Sequence, residues 1–176
     1  MRHRTAPLAL LAGACLLSPA AMAANPLHLA GEISATDPIS FEEAGGGWSF
    51  HYDLVRIAVD TDGVYNFSMT GSDSFAPWFG VFENGVYDPT DFNNSPWIGG
   101  MGTVAAGATI ATDLDLVAGV YELVLASTYW IDQNSGLDLG PYTATVTGPT
   151  GADITIVPAP AAGVALLGVL AARRRR

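Results

Sequence analysis

The sequence is poor in basic residues, and those it has are unevenly placed. It has no lysine, and of its 7 arginines only Arg56 lies between Arg4 and the four arginines that end the chain. All 17 acidic residues fall between Glu32 and Asp153. A body with this charge repels nucleic acid and anionic lipid headgroups, so nucleic-acid binding is not expected, and it attracts cations. The same charge also serves solubility alone.

Cysteine is nearly absent, since Cys15 is the single one. If the N-terminus is removed on export, the mature chain has no disulfide and no thiolate nucleophile. Lipidation of Cys15 is disfavoured because further apolar sequence follows it. The body keeps two histidines, His28 and His51, which are too few for a zinc site. Neither a Gly-x-Ser-x-Gly elbow nor a lysine-containing phosphate loop is present, so we predict no enzyme and no catalytic residue.

Residues 1–23 have the three parts of an export signal. Arg2 supplies a positive start, residues 5–17 are mostly apolar, and Ala21 and Ala23 are small residues at the −3 and −1 positions of a cleavage site. We therefore expect an N-terminal signal helix that directs the chain to the export machinery and is cut after Ala23.

The C-terminus predicts a short membrane helix. Residues 161–172 are apolar throughout and have no polar face, which disfavours an amphipathic surface helix. As a helix they reach about 18 Å, against about 30 Å of bilayer hydrocarbon, and snorkelling arginines close part of that gap. The arginines would hold this end on the cytoplasmic side of the inner membrane. The flanking residues are Val157, Pro158, Ala159 and Pro160 before the helix, and Arg173, Arg174, Arg175 and Arg176 after it.

This order of proline motif, apolar helix and arginine tail resembles the PEP-CTERM sorting domain of Gram-negative bacteria. The resemblance is carried by residues 157–160, by Leu166-Leu167-Gly168 and by the terminal arginines. Ala159 stands where the family has glutamate, and the helix is shorter than most. The resemblance implies sorting by an exosortase-like membrane protease, a final location at the cell surface or in the extracellular matrix, and a link with exopolysaccharide and biofilm.

The body, residues 24–156, is dominated by a period of two that is typical of half-buried strands. Alternation is clearest in Tyr65–Phe67–Met69, Tyr121–Leu123–Leu125 and Tyr142–Ala144–Val146. Further strands are predicted at 27–33, 48–60, 78–83, 103–112 and 153–157. Asp62-Gly63 and Asn84-Gly85 are strong tight-turn pairs. About eight short strands without a helical stripe predict an all-β fold, an antiparallel β-sandwich of jelly-roll or immunoglobulin-like kind.

The body also resembles the bacterial pre-peptidase C-terminal type of β-sandwich. The similarity is carried by residues 63–67, 79–85 and 118–124, with 140–142 as the closing strand. The acidic pair that usually precedes the middle strand is missing, because Ala76-Pro77-Trp78 stands there. The resemblance implies a noncatalytic accessory module.

Two kinds of ligand site can be predicted from residue types, as alternatives to a plain matrix role. Asp60 with Asp62, and Asp113 with Asp115, place acids two residues apart, which on a strand puts both on one face and suits calcium. A turn and solvated carboxylates explain the same residues.

The second predicted ligand is carbohydrate. Trp97 and Trp130, with Trp78, Phe79 and Tyr129, fall at or near predicted loops, where aromatic faces can stack on sugar rings. Core packing is the simpler explanation for large aromatics.

Overall fold

The alternating runs of the body form strands of an antiparallel β-sandwich. The structure is a computed structural model, and it describes residues 24–44, 46–133 and 135–158. The strands in these ranges are β1 Leu27–Ile33, β2 Ile39–Glu43, β3 Gly46–Val59, β4 Gly63–Gly71, β5 Pro77–Glu83, β6 Trp97–Gly102, β7 Thr109–Leu116, β8 Gly119–Ser127, β9 Gly140–Thr147 and β10 Ile154–Ile156. The predicted signal segment and membrane helix lie outside the described residues. Within those residues, no helix has the length and apolarity needed to cross a bilayer.

Two sheets pack face to face. The smaller has the order β1-β9-β4-β7, and the larger has the order β10-β3-β8-β5-β6, with β2 added beside the first half of β3. All the pairings are antiparallel. Without β2 and β10, the first strand pairs with the last, β3 with β8, β4 with β7 and β5 with β6, alternating between the sheets. This nested order is that of a jelly roll, one of the two predicted arrangements.

The main core lies between the sheets, and the alternating residues of the sequence supply it. Tyr65, Phe67 and Met69 of β4 are buried against the larger sheet, as predicted. The Phe67 ring lies 6.3 Å from that of Phe79 on the opposite sheet. Phe79 therefore belongs to the core and is not an exposed loop aromatic.

Three segments differ from the predicted strands. Residues 103–108, expected within a strand, form the turn between β6 and β7, while β6 itself was not predicted. The sequence of β6, Trp-Ile-Gly-Gly-Met-Gly, has little alternation to reveal it. The short strand β2 was also missed, because its apolar residues Ile39 and Phe41 point to solvent and its buried residue is Ser40.

A polar contact joins the two sheets inside the core. The Tyr142 hydroxyl of β9 donates a 2.6 Å hydrogen bond to the Asp53 carboxylate of β3. Burial, and then the neighbouring Asp53 carboxylate, raise the pKa of Tyr142 well above its ordinary value. Gly31 faces this ring across the β1–β9 pair, and a Cβ there would collide with the Tyr142 hydroxyl. The smaller sheet thus needs a glycine at this position.

The larger sheet buries one ion pair on its outer face. Glu122 of β8 is 2% exposed, and its Oε1 atom accepts bonds from Arg56 Nε at 3.1 Å and Nη2 at 2.9 Å. Arg56 lies directly opposite Glu122 in the β3–β8 register. It is the single arginine or lysine of the described chain. The single arginine or lysine of the described residues is therefore paired with a buried carboxylate.

We predict that Arg56→Met destabilises the fold by about 3 kcal/mol, because it leaves the Glu122 carboxylate buried without a cationic partner. Urea unfolding measures the change. The double substitution R56M/E122L removes both charges and is expected to recover stability to within about 1 kcal/mol of the parent. Equal stability of the single and double variants would show that the ion pair is not what satisfies Glu122.

Candidate functional site

The outer face of the larger sheet carries a second apolar layer, separate from the main core. Phe50 and Tyr52 of β3, Phe82 of β5 and two small residues of β8 are buried there. The residues packed over them are Trp78, Val86, Tyr87, Phe92 and Trp130. Strand β8 is consequently buried on both faces along Tyr121–Ser127, where the sequence predicts only one buried face.

The segment at residues 84–96 folds back over this face and covers part of it. Gly85, at φ +79°, turns the chain after β5, as its Asn-Gly pair predicts. The backbone N–H of Tyr87 donates to Glu122 Oε2 at 3.4 Å, and the N–H of Asp88 donates to Ser95 Oγ at 2.9 Å. The segment then ends in a short 3-10 turn that begins at Phe92. These bonds position the Phe92 ring above the sheet.

Beside this segment the aromatic layer opens into a groove of about 300 Å³. It is lined by Phe50, Trp78, Phe92, Ser127, Thr128 and Trp130. The ring of Phe50 forms the centre, with centroids 5.3 Å from Trp130, 5.5 Å from Phe92 and 6.0 Å from Trp78. We call this feature the aromatic groove. Its walls come from four segments that are far apart in the sequence.

A further indole extends the groove towards solvent. Trp48 of β3 is 53% exposed and meets Trp130 edge to face at 5.7 Å. Aromatic pairs of this geometry contribute about 0.5–1.5 kcal/mol each beyond their burial. An exposed indole fixed by such a contact has little freedom left to lose when a ligand packs on it.

Two glycines let Trp78 lie against the sheet. A Cβ at Gly80 would stand 2.7 Å from the Trp78 Cη2 atom, and one at Gly102 would collide with its Cδ1 atom. The indole thus covers both positions, one on its own strand and one on β6. Any side chain there would displace Trp78 from the groove wall.

The two hydroxyls of the groove are already partly engaged. Ser127 Oγ donates to the Leu137 carbonyl at 3.0 Å and accepts from the Tyr129 N–H at 3.0 Å. Thr128 Oγ1 donates to the Pro77 carbonyl at 3.3 Å. Because a hydroxyl has one proton and two acceptor sites, what remains on each is acceptor capacity.

The structure separates the two tryptophans for which sugar stacking is predicted. Trp130 lines the aromatic groove, whereas Trp97 lies on the edge strand β6, 53% exposed, and is not among the lining residues. Phe50 and Phe92 were missed as groove residues. The spacing of Trp48, Phe50 and Tyr52 is that of any strand with one apolar face, so no local signal distinguishes an outer layer from the core.

The four predicted calcium ligands lie on turns and on the outer face of the smaller sheet. Asp60 Oδ1 accepts from the Asp153 N–H at 2.8 Å, and Asp62 Oδ1 accepts from the Ala118 N–H at 2.7 Å. Asp113 Oδ1 accepts from Asn66 Nδ2 at 2.7 Å, and Asp115 is exposed. In the described ranges, no three acidic or histidine side chains are grouped to hold a metal. Calcium binding stays a prediction.

We predict that Asp60 stabilises the fold only while it is ionised. The Asp153 N–H, and next the Thr61 hydroxyl, lower the pKa of Asp60 below its ordinary value. Its contribution is therefore present at neutral pH and is lost as the pH falls through the lowered pKa. Asp60→Asn should lower the melting temperature at neutral pH, and the difference should shrink in acid.

Thermal melts across this pH range test the idea, with Asp115→Asn as the matched control. The Asp115 carboxylate accepts no hydrogen bond from the described residues, so its replacement should leave the melting temperature nearly constant at every pH. If the melting temperature of Asp60→Asn differed from that of the parent by the same amount at every pH, the stabilising role of the ionised Asp60 carboxylate would be contradicted.

Comparison with known proteins does not identify a family for this chain. No family model matches the chain, and no curated protein matches it. Among solved structures, a carbohydrate-binding module from the Cellvibrio mixtus lichenase 5A, solved in complex with cellotriose, is similar over 73% of this chain and 90% of that chain. The identity is 13% and the TM-score is 0.35. A similarity this low carries no argument about function.

Proposed function

We propose that this protein is an exported carbohydrate-binding β-sandwich. The observation that carries the proposal is the aromatic groove, in which Phe50, Trp78, Phe92 and Trp130 converge with two hydroxyl groups. An open apolar patch of this kind on a soluble domain marks an interaction site more often than it marks chance exposure. We infer that its ligand is a sugar.

A sugar ring has an apolar face and a polar rim, and the groove has groups that match both. The C–H face of a pyranose is apolar and packs on an aromatic ring, while the hydroxyls at its rim form hydrogen bonds. The groove has apolar walls with Ser127 and Thr128 at one side, the combination of mostly apolar lining and few polar groups that small-molecule sites share. Its volume of about 300 Å³ is at the lower end of the range of small-molecule sites.

The lining supports binding rather than catalysis. The six lining residues within the described ranges are aromatic, serine or threonine. Both hydroxyls donate to backbone carbonyls, so neither is arranged as a nucleophile with a neighbouring base. We therefore propose a noncatalytic module.

The groove and the chain's C-terminal exit both lie along β3. After β10, the Val157 N–H donates to the Arg56 carbonyl at 2.9 Å, so the tail leaves beside Arg56. Phe50 lies six residues earlier on the same strand, about 20 Å away at about 3.3 Å per residue. Because β10 runs antiparallel to β3, the chain at Val157 is directed towards the Phe50 end of that strand.

We predict that Trp130→Ala weakens glycan binding by roughly tenfold and that Trp97→Ala leaves it unchanged. Both residues are surface tryptophans, so the two variants are matched in residue type, but only Trp130 lines the groove. Loss of one stacking residue should weaken binding by roughly tenfold or more. Affinity electrophoresis in gels containing soluble polysaccharides measures the retardation. Equal retardation of both variants and the parent would place binding outside the groove.

We also propose that the C-terminal sequence anchors and sorts the protein. Support comes from the residues that resemble the sorting signal, Val157 to Pro160, the apolar stretch at 161–172 and Arg173 to Arg176. Val157 and Pro158 are described, and they follow the last strand directly. On this proposal, an exosortase-like protease processes the tail, and the body reaches the cell surface or matrix.

Removal of the last 20 residues is expected to release the protein from the membrane fraction into the periplasm or medium, because the chain loses its apolar stop and its arginines. Cell fractionation and immunoblotting measure the distribution. As a control, replacing Arg173 to Arg176 by glutamines keeps the apolar stretch while it removes the charge. Unchanged membrane association of the truncated chain would contradict the anchoring role.

A further inference from the structure

We propose that the aromatic groove selects uncharged glycans and rejects polyanionic ones such as uronate polysaccharides. This inference rests on the proposed carbohydrate-binding function and names the class of ligand. Two independent features of the described residues carry it: the charges around the groove, and the direction of the hydrogen bonds that its hydroxyls have left to make.

Among the residues that the structure describes, none offers the groove a free cation for a carboxylate. Arg56, the single arginine or lysine of the described chain, gives two donors to Glu122, whose side chain is only 3% exposed. His28 bonds to Thr145 on the outer face of the smaller sheet, on the far side of the sandwich. His51 follows Phe50 on β3, but its ring bonds to the Asp37 carbonyl and it is buried.

The surrounding charge is negative. All 17 acidic residues belong to the body. Asp88 and Asp91 lie on the segment that carries Phe92, and Glu42 and Glu43 end the strand β2 that pairs with the start of β3. A glycan bearing a carboxylate on every unit meets this field without a compensating cation, and like-charge juxtaposition costs binding free energy. The field reaches about 8 Å at physiological ionic strength.

The hydrogen-bonding groups of the groove also favour an uncharged glycan over a carboxylate. Ser127 and Thr128 both use their single proton on backbone carbonyls, so each presents only lone pairs to a ligand. A sugar hydroxyl can donate to these atoms, whereas a carboxylate can only accept. The remaining side-chain donors among the lining residues are the indole N–H groups of Trp78 and Trp130, which are uncharged. A carboxylate bound here would lose its water and gain no charged partner.

Matched oligosaccharide pairs test the inference. Soluble oligosaccharides of cellulose, of laminarin and of mannan are each compared with the same chain oxidised to uronate at carbon six. The sugar backbone is kept and one carboxylate per unit is added. By isothermal titration at low salt, a neutral member is expected to bind, and its uronate counterpart to bind at least about tenfold more weakly. Added salt should reduce the difference in affinity between the two members of a pair, and it should not raise the affinity of the neutral member.

The outcomes separate the two proposals. If a uronate binds as tightly as its neutral counterpart, or better, the selectivity is wrong while carbohydrate binding stands. If no oligosaccharide of either kind binds, the proposed function itself fails, and the inference fails with it. Binding that survives Trp130→Ala would place the ligand elsewhere and would also overturn the selectivity argument.

A gain-of-function variant gives a second, positive readout. Asn93 is exposed and immediately follows Phe92 in the 3-10 turn at the rim of the groove. Asn93→Lys supplies the cation that the groove lacks, so uronate binding should rise by about tenfold while neutral binding stays the same. Asn93→Gln, which has a similar length and no charge, is the control. A lysine without effect on uronate binding would show that charge does not set the selectivity.

Discussion

Burial of the central strand on both of its faces is the constraint that organises this molecule. Strand β8 lies in the middle of the larger sheet, with the core of the sandwich on one side and the second aromatic layer on the other. Glu122 sits on the outer side of that strand, where a carboxylate without a partner would be costly. The opposing Arg56 and the N–H of Tyr87 satisfy it, and the same contact holds the segment at residues 84–96 over the sheet. Glu122 thus joins the ion pair to the segment that supplies the Phe92 wall of the groove.

The sequence predicts the core between the two sheets well. Tyr65, Phe67 and Met69 alternate because one face of β4 meets the core, and the pattern is confirmed. The jelly-roll arrangement is one of two that the strand count allows. Edge strands are harder to predict, because β6 replaces alternation with glycines that accommodate Trp78 and Trp97. For the same reason, Trp97 was expected in a loop although it lies in a strand.

The groove itself could be predicted only in part. Trp130 was expected as a stacking residue and lies in the lining. Phe50 and Phe92 were not, because nothing local distinguishes a residue of the outer layer from one of the core. The groove exists only after β3, β5, the segment before β6 and the loop after β8 come together. The way these four segments come together follows from the topology of the whole sandwich. The alternation of residues within a single strand does not reveal it.

The two outer faces of the sandwich differ in a way that supports the aromatic groove as the proposed ligand-binding surface. The smaller sheet presents short polar side chains, and several of them bond across strands, as Thr70 does with Thr109 at 2.8 Å. Such a face is satisfied by its own contacts and by water. The larger sheet keeps Trp48 53% exposed beside the buried aromatic layer. An apolar surface held open by specific contacts has a physical rationale if a ligand with an apolar face completes it.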